Sequence, residues 1–554
     1  MGLRSALGRP AARPGDADSG PLDRGTAWLG RTIWAFVVLG VVLRLNRYAM
    51  NSPLWLDESY LAFNLIGRGY RELLRPLDYG QVCPPLFLWV EHTAVGALGF
   101  SEWSLRLFPA ACGIASVLLF RHLAALATRG TPLLLAVAIF AVSIHPIRHA
   151  AEVKPYSCDL LMALVLLTPA FAWLRSPERV RWLWLLAAST PLAMVLSYPS
   201  AFIAGGIGLG LLGPVRRAKR WRAWVPFVVF GLSAVVTGLA LFHFVAGAQG
   251  RAVMPWMRGY WVHAFPPLDG PGRFLRWWLV TTTGNMLAYP TGGRDGRSTL
   301  TFACLLAGSV MFWRGRRAEL TILLIPFALT LAAAALRRYP YGGEARVMQH
   351  LAPAVCLLAG SGAAAVLGAF PGPSARPRVL AAIVLSLAAA GVSVFWNNLR
   401  HPYSGYESRV REFAQSFWPG QARDAELACG RLDFGIIEGY YRKGVLNDFT
   451  PPYLCNQMIY SPQRRAGGPR WDRVSSSRPL RCVLPPEVMP DDPAVLAWLE
   501  AMQTRYRLKR LRIYTARLSD DNEPPRFEPI RVFDFEPASP VPGPVHLGAG
   551  LSGG

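Results

Sequence analysis

Two adjacent acids, Asp57 and Glu58, are the residues of this sequence best suited to proton transfer. They lie in the segment LWLDESY, residues 54–60, directly after the first long apolar run of the chain. Neighbouring carboxylates can divide roles, since one can accept a proton from a nucleophile while the other orients it or holds a cation. The alternative is a solvated acidic pair that caps a helix beginning near Ser59.

A second group of ionisable residues lies in HPIRHAAEVKPYSCD, residues 145–159. Glu152, Lys154, Tyr156 and Asp159 bring acid, base and phenol together where the chain re-enters an apolar run. Ionisable groups at membrane depth are usually functional. The alternative is that Lys154 pairs with Glu152 and carries no chemistry.

Two histidines in the same segment raise the question of a metal. His145 and His149 have the i, i+4 spacing that can bind a metal on one face of a helix. Pro146 interrupts a regular helix between them, and no third ligand is obvious. A divalent metal is therefore possible but not supported, and we expect a site that contains no metal and requires no cofactor.

A cluster of arginines forms the third feature, in RRYPYGGEARVMQHLAP, residues 337–353. Arg337, Arg338 and Arg346 fall on the side of the membrane where the positive-inside rule disfavours them. A phosphate ligand would explain all three, because a guanidinium binds phosphate bidentately. The alternative is that they snorkel at the membrane interface.

The composition places these residues in a membrane protein. Of 554 residues, 52% are hydrophobic and only 17% are charged, and the mean hydropathy is +0.26. The formal net charge is +24. Most arginines lie in short loops between apolar runs, which is the positive-inside pattern and argues against nucleic-acid binding.

Long apolar runs predict an all-α polytopic domain. A spanning helix needs about 20 apolar residues, and by that measure the chain has about eleven. The predicted spans are residues 32–50, 103–125, 132–148, 157–174, 182–198, 199–213, 224–246, 298–313, 319–336, 348–369 and 379–397. With residues 1–30 as a disordered cytoplasmic N-terminus, four basic clusters fall on the cytoplasmic side and the C-terminus lies outside. The clusters lie at residues 175–181, 216–222, 314–317 and 376–378.

Two segments fall outside this set of spans. The apolar run Pro84–Leu98 predicts a helix lying at the interface, because counting it as a span would invert every later basic cluster. From residue 400 the composition becomes polar and rich in proline. Residues 400–554 therefore predict a small extracytoplasmic α/β domain, with a strand at 512–515 and a helix near 493–506.

The order of these motifs resembles a known family. One span is followed by LDES, then QVCPPLFLW (residues 81–89), EWSLRLFPA (102–110) and AEVKPYSCD (151–159). The chain is similar to bacterial membrane glycosyltransferases of the dolichyl-phosphate-mannose-protein mannosyltransferase type, which have the GT-C fold. The protein O-mannosyltransferases and the lipid A aminoarabinose transferase are relatives. The resemblance implies that residues 31–399 form a GT-C-like catalytic domain.

The resemblance also implies a reaction and its site. It implies a polyprenyl-phosphate sugar donor, a lipid, glycan or protein acceptor, and an inverting displacement at the outer face of the inner membrane. Asp57 would be the general base and Glu58 its support. The second-loop acid would be Glu152, or Asp159 if the loop is shifted. Some relatives carry a lysine before the first-loop proline, where this chain has Cys83.

Because this chain lacks that lysine, other residues must bind the donor phosphate. Arg346 is our main prediction for the donor phosphate, with Arg337 and Arg338 as further possibilities and Lys154, Tyr156 and Asp159 as additional site residues. The rival interpretation is a polyisoprenoid-lipid transporter or flippase, or a lipid-binding protein without catalysis. The sequence shows none of the inverted repeats that many transporters carry.

Overall fold

The computed structural model describes residues 21–66, 68–218, 221–291, 293, 296–400, 426–429, 479–484, 506–518 and 526–538. They fall into a large helical part, which ends at Arg400, and a small sheet formed by later segments.

Sixteen α-helices occur in the described residues. In chain order they are α1 (Pro21–Ala49), α2 (Leu56–Ile66), α3 (Pro85–Leu98), α4 (Glu102–Ala127), α5 (Thr131–Val142), α6 (Ile144–Arg148), α7 (Tyr156–Arg175), α8 (Arg181–Leu196), α9 (Ser200–Ala218), α10 (Trp221–Leu241), α11 (Gly247–Tyr260), α12 (Pro271–Thr281), α13 (Thr299–Gly315), α14 (Arg317–Ala335), α15 (Ala352–Ala369) and α16 (Arg376–Arg400).

All eleven predicted spans are helical, but fewer are long enough to cross a membrane. Seven described helices are sufficiently long and apolar, or eight if the bent pair Thr131–Val142 and Ile144–Ala151 is one span. The predicted spans at α8, α9 and α13 are shorter or less apolar. The 16 residues of α8, for example, rise only about 24 Å, which is less than the roughly 30 Å hydrocarbon core. The protein is thus multi-pass, and the count of eleven stays a prediction.

The first helix begins earlier than the sequence suggested. α1 starts at Pro21, so residues 21–30 are helical and not disordered as predicted, while residues 1–20 lie outside the described part of the chain. Proline is well tolerated in the first turn because its missing N–H would have no helical partner there. The apolar run that crosses the membrane therefore continues an existing helix.

α3 is too short to span. Its 14 residues begin at Pro85 and rise about 21 Å. Its Glu91 side chain is fully buried, so the helix packs one polar residue against the protein. This length agrees with the predicted interfacial helix.

Glycines allow three helices to meet closely in the core. A Cβ on Gly308 of α13 would lie 2.0 Å from the carbonyl oxygen of Leu358, and one on Gly362 of α15 would lie 1.8 Å from that of Cys304. A Cβ on Gly360 would meet the backbone of Ala136 on α5. Small residues let backbones approach where lipid supplies no hydrophobic driving force between helices.

α10 and α11 form one long rod joined by a π-helical turn, Phe242–Ala246. A Cβ on Gly247 would lie 2.3 Å from the Phe242 carbonyl oxygen, so glycine allows the wider turn at this point. The rod ends at Tyr260, beside the site described below.

The C-terminal segments form a four-stranded sheet. Its strands are β1 (Glu426–Cys429), β2 (Leu480–Leu484), β3 (Tyr506–Leu518) and β4 (Arg526–Pro537), in the order β1-β2-β4-β3. β1 and β2 are parallel, and the other two pairs are antiparallel. The strand predicted at 512–515 is part of β3. The helix predicted near 493–506 lies outside the described residues.

Candidate active site

The first loop, residues 50–101, is anchored by a buried ion pair. The Arg106 Nε donates to Glu58 Oε1 at 2.9 Å and its Nη2 donates to Glu58 Oε2 at 2.7 Å. The side chains are only 2% and 1% exposed, respectively. This planar two-point contact has the geometry that favours strong pairing of arginine with carboxylate.

A capping box sets the position of Arg106. Ser101 is the N-cap of α4, its hydroxyl accepts from the Ser104 amide, and the Ser104 hydroxyl accepts in return from the Ser101 amide. The box fixes where α4 begins. Arg106 therefore projects from the second turn of α4, and it also donates to the carbonyl oxygens of Ser52 and Pro53 in the first loop.

Glu58 also joins the first loop to the second loop, residues 152–155. Its Oε1 accepts the backbone N–H of Val153 at 2.7 Å, and its Oε2 accepts that of Trp55 at 3.2 Å. Both carboxylate oxygens are thus occupied by donors. Glu58 is suited to positioning the loops, and not to taking up a proton.

Asp57 points to a different partner. Its Oδ2 accepts from Arg346 Nη1 at 2.6 Å, and its side chain is 21% exposed, so it is the more accessible acid of the pair. Asp57 lies in the first turn of α2, where the helix dipole favours a negative charge. Asp57 is therefore partly exposed to solvent and also in contact with a cation.

Arg346 is held in place by aromatic residues. It lies in the 3₁₀-helical turn Ala345–Leu351, and its guanidinium lies 5.1 Å from the ring centroid of Trp55 and 5.7 Å from that of Trp261. Its Nη2 donates to the Tyr260 hydroxyl at 3.3 Å. Stacked guanidinium groups lose little freedom on binding an anion.

Lys154 brings a second cation to the same place. Its buried ammonium donates to Gln81 Oε1 in the first loop. Burial lowers the pKa of Lys154, and the nearby Asp57 opposes that shift. Lys154 and Arg346 are close enough to repel each other. An anion between them would relieve this repulsion.

Glu152 has partners of its own. Its Oε2 lies 2.8 Å from His149 Nδ1, and its Oε1 lies 3.5 Å from Arg148 Nε. Burial alone would raise the pKa of Glu152, but the attraction and hydrogen bond of His149, with Arg148 and Arg47, lower it. Glu152 is therefore a fixed negative charge within the second loop, which Glu58 joins to the first loop.

Solved structures provide the comparison for this arrangement. No protein-family model and no curated protein matches the chain. Crystal structures of ArnT from Cupriavidus metallidurans, a GT-C glycosyltransferase, superpose with TM-scores of 0.53 in the apo state and 0.51 bound to undecaprenyl phosphate. Each covers 92% of this chain and 98% of ArnT, at 12% and 14% identity. The protein has a GT-C fold. An oligosaccharyltransferase from Archaeoglobus fulgidus is less similar, with a TM-score of 0.48 and 13% identity over 91% of this chain and 76% of its own.

Two further predicted residues, Tyr156 and Asp159, lie in the first turn of α7, directly after the second loop of this GT-C fold. Tyr156 starts α7, with its ring 5.4 Å from that of His149, and it interacts electrostatically with Arg346 and Asp57. Asp159 is buried further along this turn, and its Oδ1 has no hydrogen-bond partner among the described residues. Tyr156 therefore borders the site, and Asp159 is buried close enough to interact electrostatically with Tyr156.

Arg337 and Arg338 differ from Arg346. Both are exposed in the turn after α14, and none of the contacts described for this part of the GT-C fold joins them to Asp57. The structure thus brings one of the three predicted arginines to the acids, and phosphate binding by the other two stays a prediction.

The histidine pair does not form a metal cluster in the described residues, where no group of three or more potential His, Cys, Asp or Glu ligands occurs. The rings of His145 and His149 stack with centroids 6.0 Å apart, and the Nδ1 of His149 is used by Glu152.

Sequence reasoning did not identify Arg106, Gln81 or Tyr260 as members of the site. A signal existed for Arg106, because an arginine inside an otherwise apolar helix needs a partner. Gln81 and Tyr260 carry no such signal.

Proposed function

We propose that this protein is an integral membrane glycosyltransferase that moves a sugar from a polyprenyl-phosphate donor to an acceptor hydroxyl or amine, with inversion, at the outer face of the cell's inner membrane. One observation carries the proposal. Asp57, the accessible acid, lies against Arg346 while Glu58 is fully occupied by Arg106 and Val153. A base and an anion-binding group therefore face the same space.

The donor phosphate would bind between Arg346 and Lys154. The buried Nε of Arg346 makes no hydrogen bond among the described residues and lies 3.9 Å from Glu344 Oε2, while its Nη1 contacts Asp57. Lys154 comes from the second loop but reaches Gln81, close to Cys83, where some relatives of the resembled family carry their lysine in the first loop. The two cations would compensate for that missing lysine.

The reaction would be a single displacement. Asp57 takes the proton of the acceptor nucleophile, which attacks the anomeric carbon from the face opposite the phosphate. The bond from that carbon to the phosphate oxygen breaks, and its electron pair leaves with the polyprenyl phosphate. Arg346 and Lys154 stabilise the charge that grows on this leaving group, so the scheme needs neither a general acid nor a metal.

The solved neighbour supports a lipid phosphate ligand. ArnT was crystallised with undecaprenyl phosphate, which belongs to the class of leaving group proposed here. The acceptor would be a lipid, glycan or protein, and membrane lipids would surround the helices. The C-terminal domain, residues 400–554, would lie on the same outer side.

A donor panel tests the proposal. The purified protein in liposomes would be given polyprenyl-phosphate sugars and membrane extract as acceptor, and both released polyprenyl phosphate and glycosylated product would be measured. We expect both products from at least one lipid-linked sugar, none from nucleotide sugars, and none with the Asp57→Asn variant. If no donor reacts and the lipid instead crosses the bilayer, the protein is a transporter and the proposal fails.

A further inference from the structure

A chamber of about 650 Å³ lies beside Glu58. It is lined by residues of α1, α4, α6 and α16, together with residues of the first and second loops. Glu58 and Glu152 belong to its wall, whereas Asp57 and Arg346 do not line it. Its size is typical of ligand sites. Its polar lining includes Arg47, Arg148, Glu152, Ser393, Asn397 and Asn398.

The chamber has an excess of positive charge. Arg47, Arg106 and Arg148 line it together with two carboxylates, those of Glu58 and Glu152. Arg106 is neutralised by Glu58 in the buried pair, and Glu152 is already bonded to His149. The lining therefore contains three guanidinium groups and two carboxylates, and its net charge is positive. An anion in the chamber would meet two guanidinium groups.

The position of the chamber indicates which anion. Arg47 lies in the last turn of α1, and Asn397 and Asn398 lie near the end of α16. The two helix ends are linked by a hydrogen bond of 3.5 Å from Asn398 to Asn46. Because both helices are candidate spans, the chamber lies at the depth of lipid headgroups.

Apolar surfaces lead along the same two helices. Val38 and Val42 on α1 are 59% and 41% exposed, and Leu385 and Val392 on α16 are 68% and 61% exposed. Such side chains accept acyl chains in a bilayer. The chamber thus combines cations, amides and a hydroxyl at headgroup depth with apolar faces further along the helices.

We propose that this chamber binds the anionic headgroup of a membrane phospholipid. Arg47 and Arg148 bind the phosphate, and Ser393 and the α16 amides bind the polar part of the headgroup. The site is separate from the donor site and does not depend on the proposed function. Because Glu58 and Glu152 form its wall, a bound lipid would also support the contact between the first and second loops.

Lipid binding to the delipidated full-length protein in an uncharged detergent tests the proposal. Native mass spectrometry would compare phosphatidylglycerol with phosphatidylcholine, and thermal unfolding would follow the same titrations. We expect phosphatidylglycerol to bind at least about tenfold more tightly, as charge-assisted bonds imply, and to raise the unfolding temperature. Equal binding of the two lipids would refute the site.

Variants place the binding in the chamber. Arg148→Gln, and Arg47→Gln combined with it, should reduce phosphatidylglycerol affinity by about tenfold or more, whereas Arg216→Gln, in a basic cluster elsewhere, should not. Ser393→Phe fills the chamber without changing any charge and should cause a similar loss, which keeps the test valid if the arginine variants fold poorly. Unchanged affinity in Ser393→Phe would overturn the proposal, as would full displacement of the lipid by equimolar inorganic phosphate.

Discussion

Asp57 and Arg346 are 289 positions apart in the chain, yet their side chains meet at 2.6 Å. The contact joins two distant segments of the chain at the site, since Asp57 lies at the start of α2 and Arg346 in the turn before α15. It also sets opposite expectations for the two residues, because one is placed to accept a proton and the other to bind an anion.

Asp57→Asn should abolish transfer while sparing donor binding. Asparagine keeps the size of the side chain but cannot take the proton, and a general base contributes about 10² to 10⁴ in rate. Arg346→Ala should weaken donor binding as well as turnover, because phosphate charge is present in both ground and transition states. Binding and turnover would be measured on the same purified variants.

An exposed acid in the same loop provides the control for this pair. Asp78 forms an ion pair with Arg68 at 2.8 Å and is 55% exposed, so Asp78→Asn should retain normal turnover. Near-normal turnover of Asp57→Asn with an active donor would exclude Asp57 as the base.

Breaking the Glu58–Arg106 pair should destabilise the protein strongly. Either Glu58→Gln or Arg106→Met leaves a buried group without its partner, which costs about 3–5 kcal/mol. The double variant should lose less unfolding free energy than the two single variants lose together, because no buried charge remains without a partner. Thermal unfolding in detergent would measure all three.

The Arg273–Asp269 pair is a matched exposed control, with 67% and 57% of the side chains accessible. Arg273→Met should change stability by less than about 1 kcal/mol, as is usual for surface pairs. Equal losses at both sites would show that burial does not matter for the Glu58 contact.

Donor binding should weaken as the pH rises into the alkaline range. Burial lowers the pKa of Lys154 below the ordinary lysine value of 10.5. Below its pKa in the folded protein Lys154 is charged and binds phosphate, and this contribution is lost as the pH rises through that pKa. A phosphodiester donor keeps its charge throughout. Lys154→Arg should flatten the profile, since arginine stays protonated.

Lys509→Arg, on an exposed position of the C-terminal sheet, is the control and should leave the pH profile unchanged. The same alkaline loss in Lys154→Arg would assign the titration to another group.

Gly308→Ala should lower the stability of the helical part. The added methyl group would meet the Leu358 carbonyl oxygen at 2.0 Å, and forced overpacking typically costs about 1–3 kcal/mol. Gly315, on the same helix α13, has nothing within 4 Å of its Cβ position, so Gly315→Ala is the control. The prediction fails if both variants unfold at the temperature of the parent protein.

The proposed orientation can be tested with one position on each side of the membrane. Arg75 is exposed in the first loop, which Glu58 joins to the second loop at the start of α7. α7 separates the second loop from Arg179, which is exposed before α8. In a background without the eight native cysteines, an impermeant maleimide should label Arg75→Cys in intact cells and Arg179→Cys only after permeabilisation. The reverse pattern would invert the topology.

The eleven predicted spans were predictable as helices because each one is an apolar run, and apolar runs of this length have few other stable forms in a membrane. Their exact ends were not. α1 begins at Pro21 because a polar segment continues the helix, and α8 ends at Leu196, ahead of Pro199, so it stops short of a full span. The less apolar helices α11 and α12 were not predicted.

The acids and Arg346 could be chosen from local sequence, but their partners could not. Glu58 finds Arg106 and Val153 at separations of 48 and 95 residues, and those distances depend on how α4 and α7 pack. In the same way, sequence ranked Arg337 and Arg338 beside Arg346. Only the turn Ala345–Leu351 directs one of them to Asp57.

The rod made by α10 and α11 is longer than a bilayer is thick. The candidate span Trp221–Met254 within it has 34 residues, or about 51 Å of helix against a hydrocarbon core of about 30 Å. Its last residue is Tyr260, whose hydroxyl accepts from Arg346 Nη2 at 3.3 Å. One continuous helical rod therefore extends from the membrane-spanning part of the protein to the candidate active site.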